Sequence, residues 1–130
     1  MKKAQTNKQT NKQSESTTSS RCEQAVGLLK EKIADIPNVQ SWARETGVSR
    51  EWLYKNMKKI YGKSPKVIVR NVRYKKVIQL IKRDGLEAAS YAVAVEAGLR
   101  DASALSKFLK LHFDKNFTRL KEEILENGQM

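Results

Sequence analysis

The chain has 130 residues, 39% of them hydrophobic, and a formal net charge of +12 from 26 Lys plus Arg against 14 Asp plus Glu. That length suits one compact domain or two very small ones, and the charge implies attraction to a polyanion such as DNA, RNA or an acidic membrane surface. The single cysteine, Cys22, excludes a disulfide within the chain, no apolar run approaches the roughly 20 residues that span a bilayer, and Lys2 and Lys3 precede no apolar stretch of the secretory kind.

Residues 1–20 are Lys, Gln, Asn, Thr and Ser with almost nothing apolar. Such a segment cannot offset the entropy of ordering, so a disordered, basic polar tail is expected. Its Lys2, Lys3, Lys8 and Lys12 are a solubilising leader or weak phosphate contacts. The remainder reads as helix throughout. Val26, Leu29, Ile33 and Ile36 recur at helical spacing over 21–35, with Ser19 or Ser20 as a cap and Pro37 as the stop.

Asn38 is a good N-cap for a short helix, Val39 to Thr46, stopped by Gly47. Ser49 caps a second, Arg50 to Tyr61, with Leu53, Met57 and Ile60 on one face and Gly62 at its end. Trp42 sits at core spacing, and Trp52 either joins the core or covers its edge. Helix, glycine turn, helix is the sequence form of a helix-turn-helix. Ser64 and Pro65 then open a helix that runs to Asp84-Gly85, about 30 Å at 1.5 Å per residue, long enough to join two subdomains.

A second helix-glycine-helix unit follows. Ala88 to Ala97 precedes Gly98, and Asp101 caps a helix to Phe113 with the apolar set Leu105, Phe108, Leu109 and Leu111. Phe117 to Glu126 forms a closing helix. Gly47 and Gly98 are 51 residues apart, and Ala43 and Ala94 each precede their glycine by four, which reads as an internal repeat. The expected fold is all-α, about seven helices: a first helix-turn-helix subdomain at 21–63, a connecting helix at 64–84, and a second, divergent helix-turn-helix subdomain at 85–130.

Charge is unevenly placed. Between Lys55 and Arg83 stand Lys55, Lys58, Lys59, Lys63, Lys66, Arg70, Arg73, Lys75, Lys76, Lys82 and Arg83 with no acid. From Asp84 onward six bases face eight acids. Phosphate contacts dominate affinity for nucleic acid, so the first unit and the connector should supply most of it.

This pattern resembles the DNA-binding domain of the AraC/XylS family of bacterial transcription regulators over about residues 21 to 125. Trp42-Ala43, Gly47-Val48-Ser49, Leu53, Lys58-Lys59 and Gly62-Lys63-Ser64-Pro65 match in the first unit. Arg73 stands at the family's connector arginine. Val93-Ala94, Gly98, Asp101, Ser103, Leu105, Leu109 and Phe113 match in the second. The departures are Met57, Leu99, Leu105 and Leu109 where phenylalanine is usual, Val77 for alanine, Ser90 for a branched apolar residue, and Asp114 and Phe117 for glycine and proline. The second unit is the more eroded, and Lys115-Asn116 is expected to turn the chain there.

The resemblance implies a stand-alone member of the family, a monomer acting as an activator from the cytoplasm, bound to the nucleoid; a fragment of a larger regulator is the other reading. It points to Glu51, Tyr54 and Lys55 as base-facing, with Ala102, Ser103, Ser106 and Lys107 at the matching positions of the second unit. Lys55 can donate to guanine, Glu51 can accept from cytosine, and Tyr54 can pack on a thymine methyl. Arg50, Lys58, Lys59, Lys63 and Lys110 are candidates for phosphates. So are Ser41 and Ser64, although Ser64 is first a helix cap. Arg73 could pair with an acid and brace the connector against one unit. Two units on a straight connector lie about one helical turn of DNA apart, roughly 34 Å, and reaching both requires bending of about 1–6 kcal/mol.

Other classes fare worse. His112 is the sole histidine, no Cys/His set has zinc spacing, and no glycine-rich phosphate loop is present, so no catalytic residue, metal or cofactor is expected. Most sequence-specific RNA modules use stacking aromatics on sheets or loops, a pattern this chain does not show. The acidic final helix, with Glu122, Glu123 and Glu126, suits contact with RNA polymerase or another protein. A protein-interaction or nucleoid-associated module of weak DNA specificity is therefore the alternative function.

Overall fold

The computed structural model describes residues 7–128. Seven α-helices follow one another: α1 (Asn7–Glu31), α2 (Val39–Thr46), α3 (Arg50–Tyr61), α4 (Pro65–Asp84), α5 (Ser90–Glu96), α6 (Ala102–Phe113) and α7 (Phe117–Gly128). Short 3-10 turns at Ile33–Asp35 and Gly85–Glu87 link α1 to α2 and α4 to α5. No strand occurs among the described residues, and the all-α expectation holds.

The helix starts are set by local chemistry. Asn38 accepts a hydrogen bond from the Ser41 N–H at 2.9 Å, Ser49 from Trp52 at 3.0 Å, Ser64 from Val67 at 3.4 Å and Asp101 from Ala104 at 2.9 Å. Each satisfies one of the N–H groups that a helix start leaves unpaired. Pro65 occupies the first turn of α4, where its missing donor costs nothing. Gly47 and Gly62 end α2 and α3 in the left-handed region.

Two apolar clusters lie along α4. Its first half places Ile68 and Val69 among Leu29, Ile33, Ile36, Trp42, Leu53 and Met57. Its second half places Val77, Leu80 and Ile81 among Val93, Ala94, Leu105, Leu109 and Leu120. Trp42 is fully buried, and its indole N–H donates to the Ala25 carbonyl at 2.9 Å, so the largest core side chain leaves no polar group unpaired.

Three details depart from the sequence expectation. The first helix does not start after Ser20; α1 extends back to Asn7, within the segment expected to be unordered. Residues 7–20 contain neither proline nor glycine, and extending an existing helix needs no new nucleus. Lys2 and Lys3, and the rest of that expectation over 1–6, lie outside the described residues. Leu111 is 78% exposed, because it lies about 200° around α6 from Leu109. Finally, the left-handed residue after α6 is Asp114 (φ 53°), in place of a turn at Lys115-Asn116. Asn116 instead starts α7 by accepting from the Arg119 N–H at 2.8 Å.

Candidate nucleic-acid interface

In the first unit, α2 and α3 meet across Gly47, whose N–H bonds to the Ala43 and Arg44 carbonyls. Helix α3 then turns Leu53, Asn56 and Met57 inward. Asn56 is polar and nearly buried, and it donates from Nδ2 to the Trp52 carbonyl at 2.9 Å. Trp52 is half-buried at the edge of the first cluster, with the Arg21 guanidinium 4.8 Å from its ring centroid. With that side fixed, helical geometry turns Glu51, Lys55 and Lys58 outward together. All three are exposed, as is Lys59. None of these side chains forms an ion pair with the described residues.

The other named positions divide. Arg50 is exposed and sits 5.7 Å from the centroid of the Tyr54 ring. Tyr54 is half-buried against the first cluster, nearer the core than Glu51 and Lys55. Lys63 is exposed, Ser41 is half-buried, and the Ser64 hydroxyl is engaged in capping α4. In the second unit Ser103, Ser106 and Lys107 are exposed on α6, and Ala102 is half-buried at its start. Lys110 is exposed but pairs with Asp114 at 3.1 Å.

The units are held in fixed relation by Arg73, which is 5% exposed. Its Nε donates to the Ala97 carbonyl at 2.9 Å, and its Nη2 donates to the Ile36 carbonyl. The expected acidic partner is not there; the guanidinium joins backbone of both units, and burial pulls its pKa below the ordinary arginine value. Gly98, at φ +87°, lies beside it against the Ile33 carbonyl. The sequence carried one sign of this brace: Val69, Arg73 and Val77 share the buried stripe of α4 at four-residue spacing. The distant carbonyls left no local pattern.

Between α3 and α6 this arrangement leaves a cleft of about 560 Å³, open to solvent and walled by both helices and α4. His112 lines it with its Nδ1 3.4 Å from Arg70, and burial, then Arg70, lower its pKa. Burial likewise raises the pKa of the Cys22 thiol, which is enclosed in the first cluster. Among the described residues no group of three or more His, Cys, Asp or Glu could hold a metal ion. No helix there is long and apolar enough to cross a membrane.

The model of the family described as "Helix-turn-helix domain" matches residues 42–123, from the middle of α2 into α7. The chain belongs to the helix-turn-helix domain family. The match takes in α3, the connector, the brace at Arg73 and α6, so the polar faces described above are parts of that domain. Among curated proteins the chain is similar to the "Msm operon regulatory protein" of Streptococcus mutans serotype c (strain ATCC 700610 / UA159), at 28% identity over 115 residues. The alignment covers 88% of this chain and 41% of that relative. No solved structure matches.

Proposed function

We propose that this helix-turn-helix protein is a sequence-specific regulator of transcription of the AraC/XylS type that binds double-stranded DNA with α3 in the major groove. The observation that carries the reading is the uncovered face of α3. Glu51, Lys55 and Lys58 point away from the core, no other helix lies on them, and a capped N-terminus leads that face. A helix of this diameter fits the major groove, where lysine and glutamate meet base edges that distinguish the pairs. Lys55 donates to guanine and Glu51 accepts from cytosine. Arg50, Lys58, Lys59 and Lys63 grip phosphates. Tyr54, half-buried, is restricted to an edge contact.

In the second unit Ala102, Ser103 and Ser106 offer short side chains, so α6 positions more than it reads, with Lys107 and Lys110 towards the backbone. The two units, 21–63 and 85–130, are separate readers held by the 64–84 connector and its arginine brace. The chain acts as a monomer and an activator, with the acidic face of α7 turned to the transcription machinery. The regulatory name of the streptococcal relative agrees with this reading.

The test is selection from a pool of random duplexes, with single-stranded RNA as competitor. The reading predicts a recovered motif with its strongest positions in one major-groove segment and weaker ones a helical turn away. Recovery of no motif, with binding that RNA displaces fully, would replace it with the weak-specificity module.

A further inference from the structure

The cleft between α3 and α6 has an unusual charge balance. Arg50 and Tyr54 form one wall, Phe108 and His112 the other, and Lys66 and Arg70 come from α4, with Arg73 at the floor. No Asp or Glu lines it. Arg73 in particular is almost fully enclosed and appears in no ion pair among the described residues. Its two carbonyl partners satisfy donors but do not cancel a full charge held in a low-dielectric setting.

The rest of the lining is uncharged: apolar Pro37, Val39, Val69 and Leu99, with polar Asn38 and Gln40 from the start of α2. Val69 and Leu99 join the Tyr54 and Phe108 rings, and all four are buried or half-buried. A volume of about 560 Å³ lies within the roughly 300–1,000 Å³ usual for small-molecule sites, which are mostly apolar with a few convergent polar groups. We propose that this cleft binds a small organic anion: a carboxylate or sulfonate head held by Arg70 and Arg50 above Arg73, with a flat apolar body between Tyr54 and Phe108. A guanidinium fork matches such a head in two hydrogen bonds. Tyr54, Phe108 and Leu99 suit an aromatic or short alkyl body better than a bare phosphate, which gains nothing from Phe108 or Leu99. The proposal goes beyond the DNA reading, with which it shares Arg50 and Tyr54, and its test is run without DNA.

The test is an amide-resolved NMR titration of the full chain, without DNA, using 1-naphthoate as probe. Its neutral analogue 1-naphthalenemethanol and inorganic phosphate are run beside it. Saturable shifts should cluster at Tyr54, Arg70, Leu99, Phe108 and His112. Both comparison compounds should bind about tenfold or more weakly, the size of a lost charge-assisted hydrogen bond. Arg70→Gln should weaken naphthoate similarly, whereas Lys82→Gln, on the opposite side of α4, should leave it unchanged. If shifts fall equally on the Lys75–Lys82 side, the lysines are acting as a general anion surface and the proposal is wrong. Equal binding of the neutral analogue, phosphate binding as tight as naphthoate, or no saturable shift at millimolar probe would each overturn it as well.

Discussion

Gly98 rests against Ile33 so closely that a Cβ built on Gly98 would overlap the Ile33 carbonyl oxygen. The glycine turn of the second unit is thus also its contact with the first, at the same point where Arg73 spans from Ala97 to Ile36. Packing at this seam fixes how α3 stands relative to α6.

Gly98→Ala should therefore cost much more than Gly47→Ala. Both sites have positive φ, +87° and +81°, and a non-glycine residue there costs about 1–3 kcal/mol. A Cβ at Gly47 meets open space, whereas at Gly98 it meets backbone that cannot swing away. Urea unfolding of the two variants should separate them by at least about 1 kcal/mol, the order of a steric overpacking penalty. Equal losses would mean that the seam is loose.

Arg73→Met removes the donors for two carbonyls and fills their space with a side chain that can bond neither. Leaving buried acceptors unsatisfied costs about 1–3 kcal/mol each, partly offset by the relief of a buried charge. The expected result is a clear drop in the urea midpoint and earlier amide exchange at Ala97 and Gly98. Arg73→Lys should recover only part, since one ammonium does not reproduce the planar fork.

The starts of α2, α3, α4 and α6 were legible because side chains announce them: Asn38, Ser49, Ser64 and Asp101 each stand one residue before the helix and each makes the capping bond. The uncovered face of α3 was legible for the same reason, since burial of Leu53 and Met57 fixes where Glu51 and Lys55 must point. The brace was not. Arg73 bonds carbonyls 24 and 37 residues away, and any residue has a carbonyl, so nothing in the letters marks the partner. The helical path of residues 7–20 has no sign in their composition, which speaks to burial, whereas extending a helix already formed needs no new nucleus.

Asp114 offers a test in the stabilising direction. It holds φ 53°, where glycine meets no steric penalty. Asp114→Gly should raise stability by about 0.5–1 kcal/mol, a left-handed strain of about 1–2 kcal/mol less the extra backbone entropy that glycine loses on folding. The Lys110 pair it removes is exposed and adds little. A fall in melting temperature would show that the pair, or the carboxylate's own local bonding, outweighs the backbone term.

His112 gives a pH signature, and it is the sole histidine. Burial and Arg70 hold its folded pKa below the ordinary 6.5. The unfolded chain therefore takes up the proton first as pH falls. The stabilising preference for the neutral ring is complete above about 6.5 and is lost on acidification from there towards the folded value. Thermal melts at pH 7.5 and pH 5.5 should show a larger drop for the wild type than for His112→Gln. An identical drop would mean the ring titrates as it does in water.

Whether α3 meets DNA is decided by the affinity of wild type and Lys55→Ala for a selected duplex site across a salt series. Lys55→Ala should cost about 1–3 kcal/mol on the selected site and flatten base preference at one position, with wild-type affinity falling steeply as salt rises. Unchanged affinity for both Lys55→Ala and Lys58→Ala would contradict it, because the exposed face of α3 would then not be the surface that meets DNA.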